Sequence, residues 1–91
     1  MEYVYFIGCK DIGLVKIGSS WKPSLRLTRF RKRFGQKLSI LATISTNDAL
    51  KLERQLQAEF KAHQLFGEWF RYCAEIDKKI KTLNRGKNEV V

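Results

Sequence analysis

The chain is poor in the residues that staple structure or bind transition metals. Only two of its 91 residues are cysteine, Cys9 and Cys73, with no C-x-x-C pair, and the single histidine is His63. That is too few for a zinc site and too sparse for a disulfide framework, so both thiols are expected to stay reduced, as in a cytoplasmic protein. No apolar run approaches the roughly 20 residues that span a bilayer. The N-terminus reads as strand-like from the start, so no signal peptide is expected. Internal repeats and low-complexity segments are absent. Acid is scarce as well: 9 Asp+Glu stand against 18 Lys+Arg, giving a net charge of +9 and a pI near 9.9. Such an excess in a short chain points to a polyanionic partner, nucleic acid before membrane. A ribosome-associated or merely basic protein would have the same balance. The length fits one small domain with one core, expected over residues 1–83, with 84–91 as a flexible tail.

What is present begins with Glu2–Gly18. Tyr3-Val4-Tyr5-Phe6-Ile7-Gly8 and Leu14-Val15-Lys16-Ile17 flank a five-residue connection, Cys9 to Gly13, which predicts a β-hairpin. Side chains alternate along a strand. Val4 and Phe6 therefore share a face with Val15 and Ile17, and Tyr3, Tyr5 and Lys16 share the other. Two phenols and an ammonium form either a solvated face or a site. Pro23 then opens a helix expected to run to Phe34 and to stop at Gly35. Leu27, Phe30 and Phe34 make its apolar stripe. Arg26, Arg29 and Arg33 recur at helical spacing along one flank, and Lys22 and Lys32 enlarge the cationic surface. Guanidinium groups in register suit phosphate, although a solvated helix face carries charge of the same kind.

Leu38–Ser45 predicts a third strand, with Ile40, Ala42 and Ile44 on one face. Thr46-Asn47-Asp48 offers N-caps for a second helix expected to reach about His63, its apolar face made by Ala49, Leu52, Leu56 and Phe60. Glu53 falls inside that stripe. A buried, charged and unpaired carboxylate there is strongly destabilising. It must be paired, metal-bound, protonated or placed at a cleft, and an arginine of the first helix is the ordinary partner. Leu65–Tyr72 is a turn leading into a short aromatic extended segment, with Trp69 and Phe70 as core or lid and Glu68 as a second acidic group or a local cap, the structural role being the one expected. A last helix is expected from about Ala74 to Leu83, burying Ile76, Ile80 and Leu83. His63 is expected at the surface or hydrogen-bonded.

With these elements in order, the chain resembles the GIY-YIG endonuclease superfamily, in particular the small phage and bacterial branch that reads Tyr-Val-Tyr, Lys-Ile-Gly and later Glu-Trp-Phe. Tyr3-Val4-Tyr5 stands in the GIY position. Ten residues, Phe6 to Val15, separate it from Lys16-Ile17-Gly18 in the YIG position. Arg26 lies eight residues after Gly18, where the family has its catalytic arginine, and Glu53 takes the place of its metal-binding glutamate. Gly67-Glu68-Trp69-Phe70 matches the late motif. Four short motifs in order and spacing are far more specific than any one of them.

The resemblance implies an α+β domain: a three-stranded antiparallel sheet flanked by about three helices, in the order β-β-α-β-α-α. It implies hydrolysis of a DNA phosphodiester with one divalent ion, Mg²⁺ or Mn²⁺. Glu53 would hold the ion, and Arg26 would bind the scissile phosphate. Tyr5 would act as general base once its pKa, ordinarily about 10, had been lowered by Lys16. Tyr3 would orient water or phosphate. Arg29, Arg33, Lys22 and Lys32 would bind the nucleic acid. Lys16 replaces the tyrosine of the name-giving motif, and Gln57 and Phe30 stand where relatives often have histidine. Two further readings share the basic face: a nucleic-acid-binding module with little catalysis, and a small subunit docking an acidic protein. Target recognition in relatives usually comes from an added domain. The isolated chain is therefore expected to bind DNA with little sequence preference unless a targeting protein or homodimerisation supplies more.

Overall fold

The computed structural model describes residues 2–88, with side chains through residue 86. The first hairpin pairs β1, Glu2–Cys9, with β2, Leu14–Ser20, in antiparallel register, Tyr5 opposite Gly18. Its turn closes through Gly13, whose N–H reaches the carbonyls of Cys9 and Lys10, both at 3.0 Å, at a φ of 82° that favours glycine. Helix α1, Pro23–Phe34, follows with Pro23 in its first turn, and the Gly35 N–H donates to the Arg31 carbonyl at its end. Strand β3, Ser39–Thr46, pairs with the free side of β1.

The expected α+β class holds, but the three-stranded sheet does not. Two further strands, β4 (Gln64–Phe66) and β5 (Trp69–Arg71), extend it to five in the antiparallel order β3-β1-β2-β5-β4. They are three residues long, too short for sequence alternation to reveal. What makes them strands is tertiary: β5 lies on the edge of β2, Val15 opposite Phe70 and Lys16 opposite Trp69.

Helix α2, Ala49–Glu59, starts as expected at Asp48, whose carboxylate accepts from the Lys51 N–H at 3.2 Å. It ends at Glu59 rather than near His63, and Lys61–His63 form a 3₁₀ turn instead. Helix α3, Ala74–Asn88, runs past the expected stop at Leu83. The remainder of the expected tail, 89–91, lies outside the described residues.

The sheet has a core on each side. Val4, Phe6, Val15 and Ile17 face α2 and α3 with Ala42, Leu56, Phe60, Phe70, Ile76 and Ile80. Tyr5 and Ile7 face α1 with Phe30, Leu38 and Trp69. The predicted two faces of the hairpin are therefore correct, and the one bearing Tyr5 is covered rather than solvated. Trp69 and Phe70 are both core, on opposite sides. The expected common face of Ile40, Ala42 and Ile44 is corrected: between Phe6 and Ile7 the register with β3 shifts by one residue at Leu41. Such a bulge reverses side-chain parity. Ala42 and Ile44 join the core under α2 and α3, and Ile40 packs with Tyr5 and Ile7. The carbonyl of Leu41, the bulged residue, accepts from the Asn84 side chain at 2.9 Å. That bond lies in the part of α3 that the sequence assigns to the tail.

Candidate active site

Strand β5 covers β2 only from Leu14 to Lys16. Beyond that point the edge of β2 is open, and its backbone is held by other means. The Ile17 N–H donates to the Glu68 carbonyl at 3.0 Å, and the Ile17 carbonyl accepts from the Gln57 side chain at 2.8 Å. Groups from both sides of the sheet can therefore meet at Gly18: Tyr5, Lys16 and Arg26 from the α1 side, Glu53 from α2, and Glu68 from the turn between β4 and β5.

Tyr5 lies across from Gly18 and is fully buried, its ring edge-on to Phe30 with centroids 6.2 Å apart. A Cβ on Gly18 would stand 2.5 Å from the Tyr5 hydroxyl and 3.2 Å from Glu68 Oε1. Space, not backbone conformation, demands glycine here. The hydroxyl has no hydrogen-bond partner. Burial pushes its pKa up to about 12; Arg26 pulls it down, and Glu68 and Glu53 add to the rise.

Lys16 is on the predicted face, where it meets two rings and a carboxylate. Its Nζ sits 4.5 Å from the Phe30 ring centroid, 5.5 Å from that of Trp69 and 3.7 Å from Glu68 Oε1. The rings and the carboxylate hold it, and Arg26 is the cation that acts on Tyr5. The phenol is shifted away from the range of a base at neutral pH, contrary to the expectation from sequence.

Glu53 is the one charged side chain buried among the described residues, 8% exposed. The arginine of α1 expected as its ordinary partner is not what it meets: Ser19 on β2 offers it a hydroxyl hydrogen bond. Its pKa is raised, first by desolvation and then by Glu68, against the lowering effects of Ser19, Arg54 and Lys16.

Tyr5, Lys16, Arg26 and Glu53 thus converge as a constellation. Residues 2–85 of this chain match the family model of the T5orf172 domain. The chain belongs to the T5orf172 domain family. This is a phage-associated domain linked to nuclease-like proteins. No curated protein and no solved structure matches the chain.

In this T5orf172 domain the other predicted residues lie outward from the constellation. Tyr3 is half-buried near the start of β1, opposite Ser20. Lys22, Arg29, Lys32 and Arg33 are exposed along α1, and the Arg33 guanidinium lies 5.5 Å from the Phe34 ring centroid. Arg31 turns inward, its Nε donating to the Leu38 carbonyl at 2.9 Å. The two positions where relatives often carry histidine are structural: Gln57 ties down Ile17, and Phe30 supports Tyr5 and Lys16. Glu68 pairs with Lys16 at 3.7 Å and its carbonyl accepts from the Ile17 N–H, in keeping with the structural role expected for it.

No group of three or more His, Cys, Asp or Glu side chains able to hold a metal exists among the described residues. That excludes a protein-only cage there but not Mg²⁺, which keeps several waters and suits one or two carboxylates plus substrate phosphate. The donor set fits such an ion. Glu53 is a desolvated carboxylate beside a second one, and the Tyr5 hydroxyl next to them lacks a partner. No helix among the described residues is long and apolar enough to cross a membrane.

Proposed function

We propose that this T5orf172 domain is a metal-dependent DNA endonuclease that works with the residue set by which it resembles GIY-YIG enzymes. The observation carrying this reading is Glu53: a carboxylate kept buried on an apolar helix face, without an arginine of α1 to neutralise it, within electrostatic reach of Tyr5. A pure binding protein has no use for that arrangement. In the proposed reaction Glu53 holds Mg²⁺ or Mn²⁺, Arg26 grips the scissile phosphate, and Tyr5 faces the attacking water. The ion, when bound, supplies positive charge to the phosphate and the leaving oxygen.

The chain's own part for Tyr5 is constrained. Bringing a phenol from about 12 to neutrality requires about 7 kcal/mol of added preference for the phenolate. Arg26 is the protein group that contributes in that direction, and a cation on Glu53 would work in the same sense. Without that charge Tyr5 orients the water through its hydroxyl rather than removing its proton. The exposed cations of α1 give the fold a second reading, a nucleic-acid-binding module with the same basic face and little catalysis.

Plasmid nicking by the purified protein with Mg²⁺ or Mn²⁺ separates the two. The endonuclease reading expects nicking that disappears in Glu53→Ala, in Arg26→Ala and in EDTA. An absence of nicking, with DNA bound equally by wild type and Glu53→Ala, would transfer the conclusion to the binding module.

A further inference from the structure

Glu68 has no part in the reaction proposed above, yet the fold fixes it at the centre of the constellation. Its turn is anchored twice: the Glu68 carbonyl accepts from Ile17, and the Gly67 carbonyl accepts from the Gln64 side chain at 2.7 Å. Gly67 makes the turn possible with a φ of 52°. The carboxylate that results is not on a wandering loop. Its Oε1 lies 3.2 Å from the point where a Gly18 Cβ would stand, and the Tyr5 hydroxyl lies 2.5 Å from that point. Having no Cβ, Gly18 thus lets a carboxylate and a phenol close in on one point of β2.

Charges of both signs surround this point. The negative charge of Glu68 is felt by both Glu53 and Tyr5. The cation in contact with Glu68 is Lys16, at 3.7 Å, longer than a charge-assisted hydrogen bond. Lys16 is also committed to the faces of Phe30 and Trp69. Arg26 acts on Tyr5 and Arg54 on Glu53, which leaves Lys16 as the cation within salt-bridge range of Glu68 among the described residues. The Tyr5 hydroxyl, fully buried and without a partner, is directed at the same place, where an oxygen of a hydrated cation would satisfy it.

We infer that Glu68 is a second carboxylate, with Glu53, of a divalent-cation site built over Gly18 at the open edge of β2. The inference rests on the functional reading only in that both put the cation on Glu53. The simpler role for Glu68, a salt bridge to Lys16, needs neither the close approach to Tyr5 nor the neighbouring carboxylate.

The test is Mn²⁺ binding to the purified chain without DNA, followed by electron paramagnetic resonance of the free ion and by titration calorimetry. Wild type is compared with Glu53→Gln, Glu68→Gln, Glu68→Asp and, as a control for charge alone, Glu59→Gln, a helix carboxylate that pairs with Lys79 at 3.4 Å. Glu53→Gln and Glu68→Gln are each expected to weaken Mn²⁺ binding about tenfold or more, and Glu59→Gln about twofold or less. Glu68→Asp keeps the charge and shortens the reach, so it should bind more weakly than wild type if the carboxylate is a ligand. Circular dichroism confirms that each variant is folded, and Mn²⁺ should raise the melting temperature of wild type but not of Glu68→Gln. Mn²⁺ binding by Glu68→Gln equal to that of Glu59→Gln would overturn the inference, as would a wild type that binds no Mn²⁺. Binding that needs both carboxylates, without nicking, would keep the inference and defeat the endonuclease reading. Nicking that survives Glu68→Gln with unchanged Mn²⁺ binding would do the reverse.

Discussion

Replacing Tyr5 by phenylalanine should make the protein more stable while abolishing nicking. The Tyr5 hydroxyl is buried and has no hydrogen-bond partner. An unsatisfied buried polar group costs about 1–3 kcal/mol. Deleting the oxygen recovers that penalty but leaves a small void beside Gly18, so a net gain of about 1 kcal/mol is expected in buffer free of divalent ions. For a domain of this size that is a rise of roughly 4–8 °C in melting temperature.

The pH dependence sharpens the test. The folded phenol titrates at about 12 rather than at its ordinary 10.0, so between these values the folded state holds a proton that the unfolded chain has lost. Stability of the wild type therefore falls as pH rises through that window, by up to about 3 kcal/mol, and Tyr5→Phe lacks this loss. Tyr72, also pushed up to about 12, is present in both proteins and cancels in the difference. Urea denaturation at pH 8 and at pH 11 measures both effects, and plasmid nicking measures function. A Tyr5→Phe variant less stable than wild type by more than about 1 kcal/mol at pH 8 would refute the reasoning, because the hydroxyl would then have a stabilising partner.

Two other outcomes follow from the same site. Glu53 has a raised pKa in the folded protein, so above its ordinary 4.5 the wild type loses stability as pH rises. Glu53→Gln should be the more stable protein at neutral pH, with the advantage disappearing below that ordinary value. An advantage independent of pH, measured by denaturation without divalent ions, would show that the carboxylate is not desolvated. On α1, Arg29→Ala and Arg33→Ala should each lower the slope of log K against log salt for duplex DNA by roughly 0.9 if that side chain neutralises one phosphate, and unchanged slopes in fluorescence anisotropy would take the DNA off that face.

The legible parts of the fold are those whose reasons are local. β1 and β2 are long and strictly alternating, so their two faces could be assigned before α1 was known to cover one of them. α1 carries its own boundaries, Pro23 and Gly35. The face of Ile40 on β3 is not legible, because nothing in Leu-Ser-Ile-Leu-Ala announces that Leu41 bulges. The reason lies on α3, where Asn84 satisfies the carbonyl that the bulge leaves over. β4 and β5 exist because β2 has an edge to fill. Glu68 is hard to value from sequence for the same reason: its place is set by a backbone bond to Ile17, dozens of residues away along the chain.

The site residues stood out differently, by breaking local rules. A glutamate interrupts an apolar helical stripe, a tyrosine interrupts a strand that is otherwise core, and a glycine sits inside a strand without needing a positive φ. Each is unfavourable where it stands, and the fold brings Glu53, Tyr5 and Gly18 to one place. Independent structural accidents would scatter over the surface and core. Three rule-breaking residues at one open sheet edge, with Arg26, Lys16 and Glu68 around them, are better explained by a shared chemical task whose benefit offsets their combined cost.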